Sequence, residues 1–326
     1  MKHYARAVLL GASAALMFAT SAFAQTSWDM PTPYGDGIFH TKNIRTFAED
    51  VEKATNGNLV ITVHSANSLF GHAEIRDAVR DGLTPIGEFL LSRLVNEDPV
   101  FGLDSIPFLA SSYDESTALW AASREAVAAK LADQGLTLLY SVPWPGQSLY
   151  LRKEITDPAQ FQGLNFRAYN LASERLAQLL GATPTQVEET DVPTAFSTGR
   201  VEAMITSPST GANAKAWDFT SHYIDVQAWL PRNVVVVNTE AFEALSEDEQ
   251  KAVMDAAAAA EARGLEMSQT ETTEKMGELE AGGMKMSKPS EALAAKLKEI
   301  GETMTSEWEQ SAGDTGKGIV KAYRNR

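Results

Sequence analysis

The sequence predicts an α/β fold of two medium-sized domains. Three observations carry that prediction. Segments with a strand's period of two alternate with segments that place apolar residues on one helical face. The 326-residue chain leaves about 300 residues once its N-terminal stretch is set aside, enough for two cores. Val234–Val237 form an unbroken apolar run, fit for a strand buried on both faces.

Taken in order, residues 1–24 (MKHYARAVLLGASAALMFATSAFA) have a basic start at Lys2 and Arg6, an apolar run from Ala7 to Phe18, and a terminal Ala22-Phe23-Ala24. That is the layout of a secretory signal peptide cleaved after Ala24. A membrane anchor would need roughly 20 strongly apolar residues, and no later stretch reaches that length, so a soluble, exported chain is expected. Ile44, Phe47, Ala48 and Val51 share one helical face, predicting a helix over 40–57 stopped by Gly57. LVITVH (59–64) reads as a strand, and HAEIRDAVRDG (72–82) as a helix closed by Gly82. A longer helix is predicted over 115–135, followed by a strand over 136–144 broken at Pro143. Residues 171–186 read as a helix, a stop at Gly181 and an extended segment. Residues 191–208 read as a short helix, a turn, and a strand through Val201, Ala203 and Ile205.

Beyond Leu245 the pattern changes. Ser246 and Glu249 have capping-box spacing. From Gln250 to about Ala281 there is no proline and only two glycines, Gly264 and Gly277. This run reads either as one helix of roughly 30 residues, long for a globular domain, or as two helices broken near Gly264. Met284–Ser287 reads as a short strand and 290–313 as the final helix. No internal repeat, low-complexity linker or heptad run is visible.

Composition excludes several function classes. The chain has no cysteine, which removes disulfide scaffolds, thiol catalysis and cysteine metal sites. It carries 28 basic and 43 acidic residues; without Lys2 and Arg6 the balance is 26 against 43, a formal charge of −17. Nucleic-acid binding needs a basic stripe, and none is present. A site for an anion must therefore create its own local positive field. Enzyme signatures are missing too: no HExxH, GxSxG, Walker A or GxGxxG. His3, His40, His64, His72 and His222 lack metal-ligand spacing, so no metal or cofactor is expected. Glu188, Glu189 and Asp191 form an acidic cluster; paired carboxylates can do acid–base chemistry, but a solvated loop is the commoner outcome.

One strand stands out. In FQGLNFRAYN (161–170), Leu164, Phe166 and Ala168 alternate with Asn165, Arg167 and Tyr169. The apolar set faces a core. Arg167 then either points into water at a sheet edge, as most arginines do, or lines a cleft that awaits an anion.

The ordered set FQGLNFR (161–167), GATPT (181–185) and DVPTAFSTGRVEA (191–203) resembles the solute-binding proteins of tripartite ATP-independent periplasmic (TRAP) transporters, the DctP-like family. Further likeness lies at 40–71, at DSIPFLA (104–110) and at 238–260, so the resemblance covers nearly the whole mature chain. It implies a two-lobed periplasmic binding protein with an interlobe cleft and a long helix spanning both lobes. The implied division is 25–144 plus 232–271 for lobe I and 145–231 plus 272–326 for lobe II. It also implies a monomer without covalent chemistry that docks on the small and large TRAP membrane subunits, and it gives Arg167 the role of pairing with a ligand carboxylate.

Departures from the family pattern narrow the ligand. Where many relatives have Q-E-N-P, this chain has Met204-Ile205-Thr206-Ser207-Pro208. Where sialic-acid binders carry a second arginine, it has Gln147, a neutral donor. The further ligand-contacting candidates are Gln147, Glu88, Thr206, Ser207, Trp144, Tyr34, Phe89 and Trp229. The expected ligand is a small organic acid anion with one carboxylate, aromatic or of the hydroxy/oxo type. The alternatives are a dicarboxylate or sulfonate receptor of the same family, and, outside it, a secreted hydrolase or a periplasmic sensor.

Overall fold

The computed structural model describes residues 25–325, so the signal-peptide reading of 1–24 lies outside the described residues. The first lobe opens with β1 (Thr26–Pro31), α1 (Phe39–Ala54), β2 (Leu59–His64), α2 (Ile75–Arg80), β3 (Ile86–Leu90), α3 (Tyr113–Ala132) and β4 (Leu136–Pro143). The chain crosses to the second lobe for β5 (Ser148–Leu151), β6 (Asn165–Ala168), α4 (Leu171–Leu179), β7 (Thr183–Gln186), α5 (Val192–Ser197), β8 (Ala203–Thr206), α6 (Pro208–Asn213) and β9 (His222–Ile224). It returns for β10 (Arg232–Asn238) and α7 (Thr239–Glu243), then runs through α8 (Glu247–Ala281), β11 (Lys285–Ser287), α9 (Glu291–Ser311) and α10 (Gly313–Arg324). The two crossovers are bound side by side: the Trp144 N–H donates to the Pro231 carbonyl and the Gln147 N–H to that of Trp229.

In the first lobe β1 and β2 pair in parallel, and β10 lies antiparallel between β3 and β4. The apolar run at 234–237 is that central strand. Val235 and Val237 enter the core under α1 and α8, while Val234 and Val236 enter the one under α3. Both faces are covered, so apolar residues run continuously instead of alternating. The second lobe holds one sheet in the order β11-β9-β5-β8-β6-β7. One face packs Leu149, Phe166 and Ile205 against α4 and α9; the other packs Tyr150, Met204 and Tyr223 against α5 and α6.

Helix α8 is a single helix of 35 residues, closed at its start by the Ser246–Glu249 capping box. The alternative of two helices broken near Gly264 does not hold. Gly264 is a contact point: a Cβ there would sit 2.4 Å from Val142 Cγ2 and 2.8 Å from Asn43 Nδ2. At 1.5 Å per residue the helix is about 50 Å long. It buries Val253, Ala257 and Ala260 in the first lobe and Leu279 in the second, so it spans both.

The division of the chain needs one correction. Residues 272–326 do not all belong to the second lobe. Helix α9 starts there, with Leu293, Leu297 and Ile300 in its core, but its Trp308 joins the first lobe's α3 core, and α10 follows with Ile319 and Val320. The sequence reading also ended the last helix at Gly313 and missed α10. Gly313 adopts a φ of +61°, which turns the chain between two helices without ending helical structure. Among the described residues no helix is long and apolar enough to cross a membrane.

Candidate functional site

Strand β6 lies inside its sheet, between β8 and β7, which removes the sheet-edge reading of Arg167. Phe166 and Ala168 are fully buried in the lobe core, and Arg167 projects to the other side. That side is the junction of the lobes, where Arg167 lines a cavity of ≈ 40 Å³ and is itself only 3% exposed. Its Nε donates to the Val187 carbonyl at 3.0 Å, and its guanidinium carbon lies 4.8 Å from the centre of the Tyr169 ring. Among the described residues no carboxylate pairs with it, and no hydrogen bond engages its terminal nitrogens. Burial pulls its pKa down, and the nearby Tyr169 and Glu189 pull it back. A guanidinium stays charged under such pressure. The cavity therefore holds a fixed cation with an unused planar fork.

Tyr34 and Trp144 supply an aromatic wall, their rings edge to face with centroids 5.0 Å apart. Both donate to Asn233 Oδ1, from the Tyr34 hydroxyl at 3.2 Å and from Trp144 Nε1 at 2.9 Å. Asn233 in turn donates to Glu88 at 3.1 Å. Thr32 also donates to Glu88, at 2.6 Å, and His40 Nδ1 lies 3.3 Å from it. Glu88 is thus a layer behind the wall and not on it, which corrects its place among the candidates. Burial raises its carboxyl, but these partners outweigh burial and hold it below the ordinary value.

Two more candidates are corrected. Phe89 follows Glu88 on β3 and so points the opposite way, into the core with Ile75 and Val79. Trp229 is fully buried in the second lobe's core, and its Nε1 donates to the Tyr169 hydroxyl at 3.0 Å. That hydroxyl donates to Gln147 Oε1 at 3.0 Å, while Gln147 Nε2 donates to the Pro145 carbonyl at 2.8 Å. Gln147 does line the cavity, with its amide already tied on both sides. Thr206 and Ser207 line it as well, at the end of β8, where the Ser207 hydroxyl accepts the Thr210 N–H and caps α6. The structure therefore brings Arg167, Gln147, Tyr34, Trp144, Thr206 and Ser207 together and leaves Glu88, Phe89 and Trp229 outside.

The sequence reading missed Tyr169, His72, Glu188, Glu189 and Thr210 as lining residues. Tyr169 carried a signal, since it alternates with Arg167 on the same face. Glu188 and Glu189 read as a solvated loop by sequence; both are half-buried, and Glu188 is held by His72 and Arg93 of the opposing lobe. His72 Nε2 accepts the Leu90 N–H at 3.1 Å, which leaves the proton on Nδ1, directed at Glu188 Oε2 at 3.2 Å. Burial likewise favours the neutral ring. Arg93 donates to the other Glu188 oxygen at 2.9 Å. Burial alone would raise the Glu188 carboxyl, but these two partners hold it well below the usual range. No group of three His, Asp or Glu side chains is placed to hold a metal among the described residues.

A family model for "bacterial extracellular solute-binding protein, family 7" (DctP) matches residues 36–311. The fold superposes on DctP7, a Bordetella pertussis extracytoplasmic solute receptor binding pyroglutamic acid, with a TM-score of 0.90 and 43% identity, covering 92% of this chain and 99% of that one. DctP6 of the same organism, also binding pyroglutamic acid, is 38% identical with a TM-score of 0.91, over 92% of this chain and 100% of that one. A marine metagenome TRAP solute-binding protein specific for pyroglutamate is 43% identical with a TM-score of 0.91, over 93% and 100% of the two chains.

Proposed function

The chain belongs to the bacterial extracellular solute-binding proteins of family 7, the DctP family, and on that premise we propose that it captures pyroglutamate and hands it to the membrane subunits of a TRAP transporter. It is a solute receptor and not an enzyme. One observation carries the ligand assignment: among the described residues the buried guanidinium of Arg167 forms no ion pair, and it lines a cavity at the junction of the lobes. A buried, unpaired charge is costly, and a carboxylate bound bidentately both neutralises it and fills its fork. One such cation calls for one carboxylate, and Gln147 adds no second one.

Size and wall chemistry support the same reading. The cavity of ≈ 40 Å³ suits a compact solute, since a single water already needs about 10–15 Å³ by the same measure. Tyr34 and Trp144 offer apolar surface to a small ring, and Thr206 and Thr210 offer hydroxyls to a ring carbonyl. Pyroglutamate is such a molecule, a five-membered lactam with one carboxylate, and it is the ligand of the three similar structures. In this reading residues 1–24 direct export and are removed after Ala24, and the receptor works as a monomer in the periplasm.

Thermal shift on the mature protein, residues 25–326, tests the proposal. Pyroglutamate at about a hundredfold its Kd adds about 2.7 kcal/mol of stability, a rise in Tm of roughly 4 °C for a chain of this length. Aromatic acids, uronates and glutamate are expected to shift it less, and Arg167→Ala to abolish the response. A neutral sugar as the best hit, or undiminished binding by Arg167→Ala, would overturn the assignment.

A further inference from the structure

Two of the lining groups, Glu188 and Glu189, are carboxylates, whose chemistry runs against an anion receptor. Glu189 opens the turn Glu189–Asp191 and lines the cavity that holds Arg167. Its neighbour Glu188 has both oxygens occupied, by His72 and Arg93. Among the described residues Glu189 has no such partner: no donor hydrogen-bonds its carboxylate and no cation lies within 4.0 Å of it. Burial pushes its carboxyl up, and the Arg167 charge is the influence that opposes this. A carboxylate so placed repels the acid group of any ligand that comes near it, and a ligand that displaces its water must bring a donor in exchange. The cavity thus presents a planar cation and a bare acceptor. It is complementary to an anion that carries an N–H close to its carboxylate.

Resting on the pyroglutamate reading, we propose that Glu189 determines specificity by accepting the lactam N–H, while Arg167 takes the carboxylate on the adjacent ring carbon. Glu189 then admits lactam acids and rejects acids of the same shape that present a ring oxygen or a hydroxy-acid oxygen at that point. Two facing acceptors with no proton between them are worse than an empty site, so rejection arises from repulsion as well as from a lost bond.

The test changes the ligand before it changes the protein. Calorimetric titration of the unsubstituted mature protein compares L-pyroglutamate with its lactone isostere, 5-oxotetrahydrofuran-2-carboxylate, in which oxygen replaces the N–H. The lactone is expected to bind at least about 100-fold more weakly. In Glu189→Gln the side-chain amide can donate to the ring oxygen, so lactone affinity should rise and the ratio fall below about tenfold. Pyroglutamate bound tightly with the lactone within about threefold of it would overturn the role of Glu189 and leave the receptor reading standing. An undiminished ratio in Glu189→Gln would do the same. No binding of pyroglutamate by the unsubstituted protein would overturn both.

Discussion

Arg167 was legible because two independent patterns met on it: the alternation of a half-buried strand and a family motif. Its neighbours were less so. Glu88 and Phe89 are consecutive on one strand and face opposite ways, so at most one of them can reach the cleft. As it happens neither does, since the Tyr34–Asn233–Trp144 layer stands in front of Glu88. A layer assembled from residues so far apart in the chain has no local signature. The same holds for Asp104, read only as part of the DSIPFLA motif. Its carboxylate accepts the Arg232 N–H at 2.8 Å beside the second crossover, and burial pushes it up to about 6 despite that bond, Ser105 and the Arg232 charge. An acid with a raised folded pKa binds a proton in the folded state that the unfolded chain has already lost. Stability therefore falls as pH rises from about 4 to 6, with the full cost present above that window. For a group that keeps some solvent contact this amounts to about 2 kcal/mol. Relative to Asp104→Asn, which does not titrate, the parent should lose about 2 kcal/mol between pH 4 and pH 7 in urea denaturation. A parent-to-variant difference that stays flat with pH would sink this account of Asp104.

At the scale of elements the sequence reading was strongest where a pattern is local and weakest where a partner lies far along the chain. The continuous valines of β10 announced a strand covered on both sides. The capping box announced the start of α8. Whether α8 breaks at Gly264 was undecidable from sequence, because glycine in a helix marks either weakness or close approach. The structure assigns close approach there and nothing at Gly277, which is exposed with no atom within 4 Å of a Cβ. The two positions therefore diverge under one substitution. Gly277→Ala is expected to stabilise by up to about 1 kcal/mol through helix propensity. Gly264→Ala gains the same propensity but drives a methyl against Val142, a stiff β-branched side chain in a packed strand, and against Asn43, whose amide donates to the Ala260 carbonyl. Overpacking of this kind costs about 1–3 kcal/mol, so the net change is expected to be a loss. Urea midpoints for the two variants decide it; stabilisation at both sites would mean that α8 does not press on β4.

At the scale of the whole molecule the cavity exists only because the lobes meet, and polar bonds hold them there across the junction. Asn170 of the second lobe donates to Ser92 Oγ of the first at 2.9 Å. Glu188 of the second lobe is gripped by His72 and Arg93 of the first, and these first-lobe contacts keep its carboxyl ionised at any pH near neutrality. Charge on Glu188 thus favours the closed arrangement. That contribution is complete above the ordinary carboxylate pKa and fades as acid protonates the group. Glu188 is 41% exposed and Arg93 22%, so water screens the pair and its share is modest, about 1 kcal/mol, or roughly fivefold in the closed-to-open ratio. Glu188→Gln keeps the size and one hydrogen-bonding oxygen but removes the charge. It should weaken ligand binding at pH 7 by up to about fivefold through the lowered closed population. It should also enlarge the radius of gyration of the ligand-free protein in small-angle scattering, and both proteins should converge on one radius when saturated with ligand. Arg167→Ala acts on the ligand and not on the junction, so it should lose binding without that expansion. If Glu188→Gln weakens binding yet leaves the ligand-free radius unchanged, the carboxylate touches the ligand itself and does not latch the lobes.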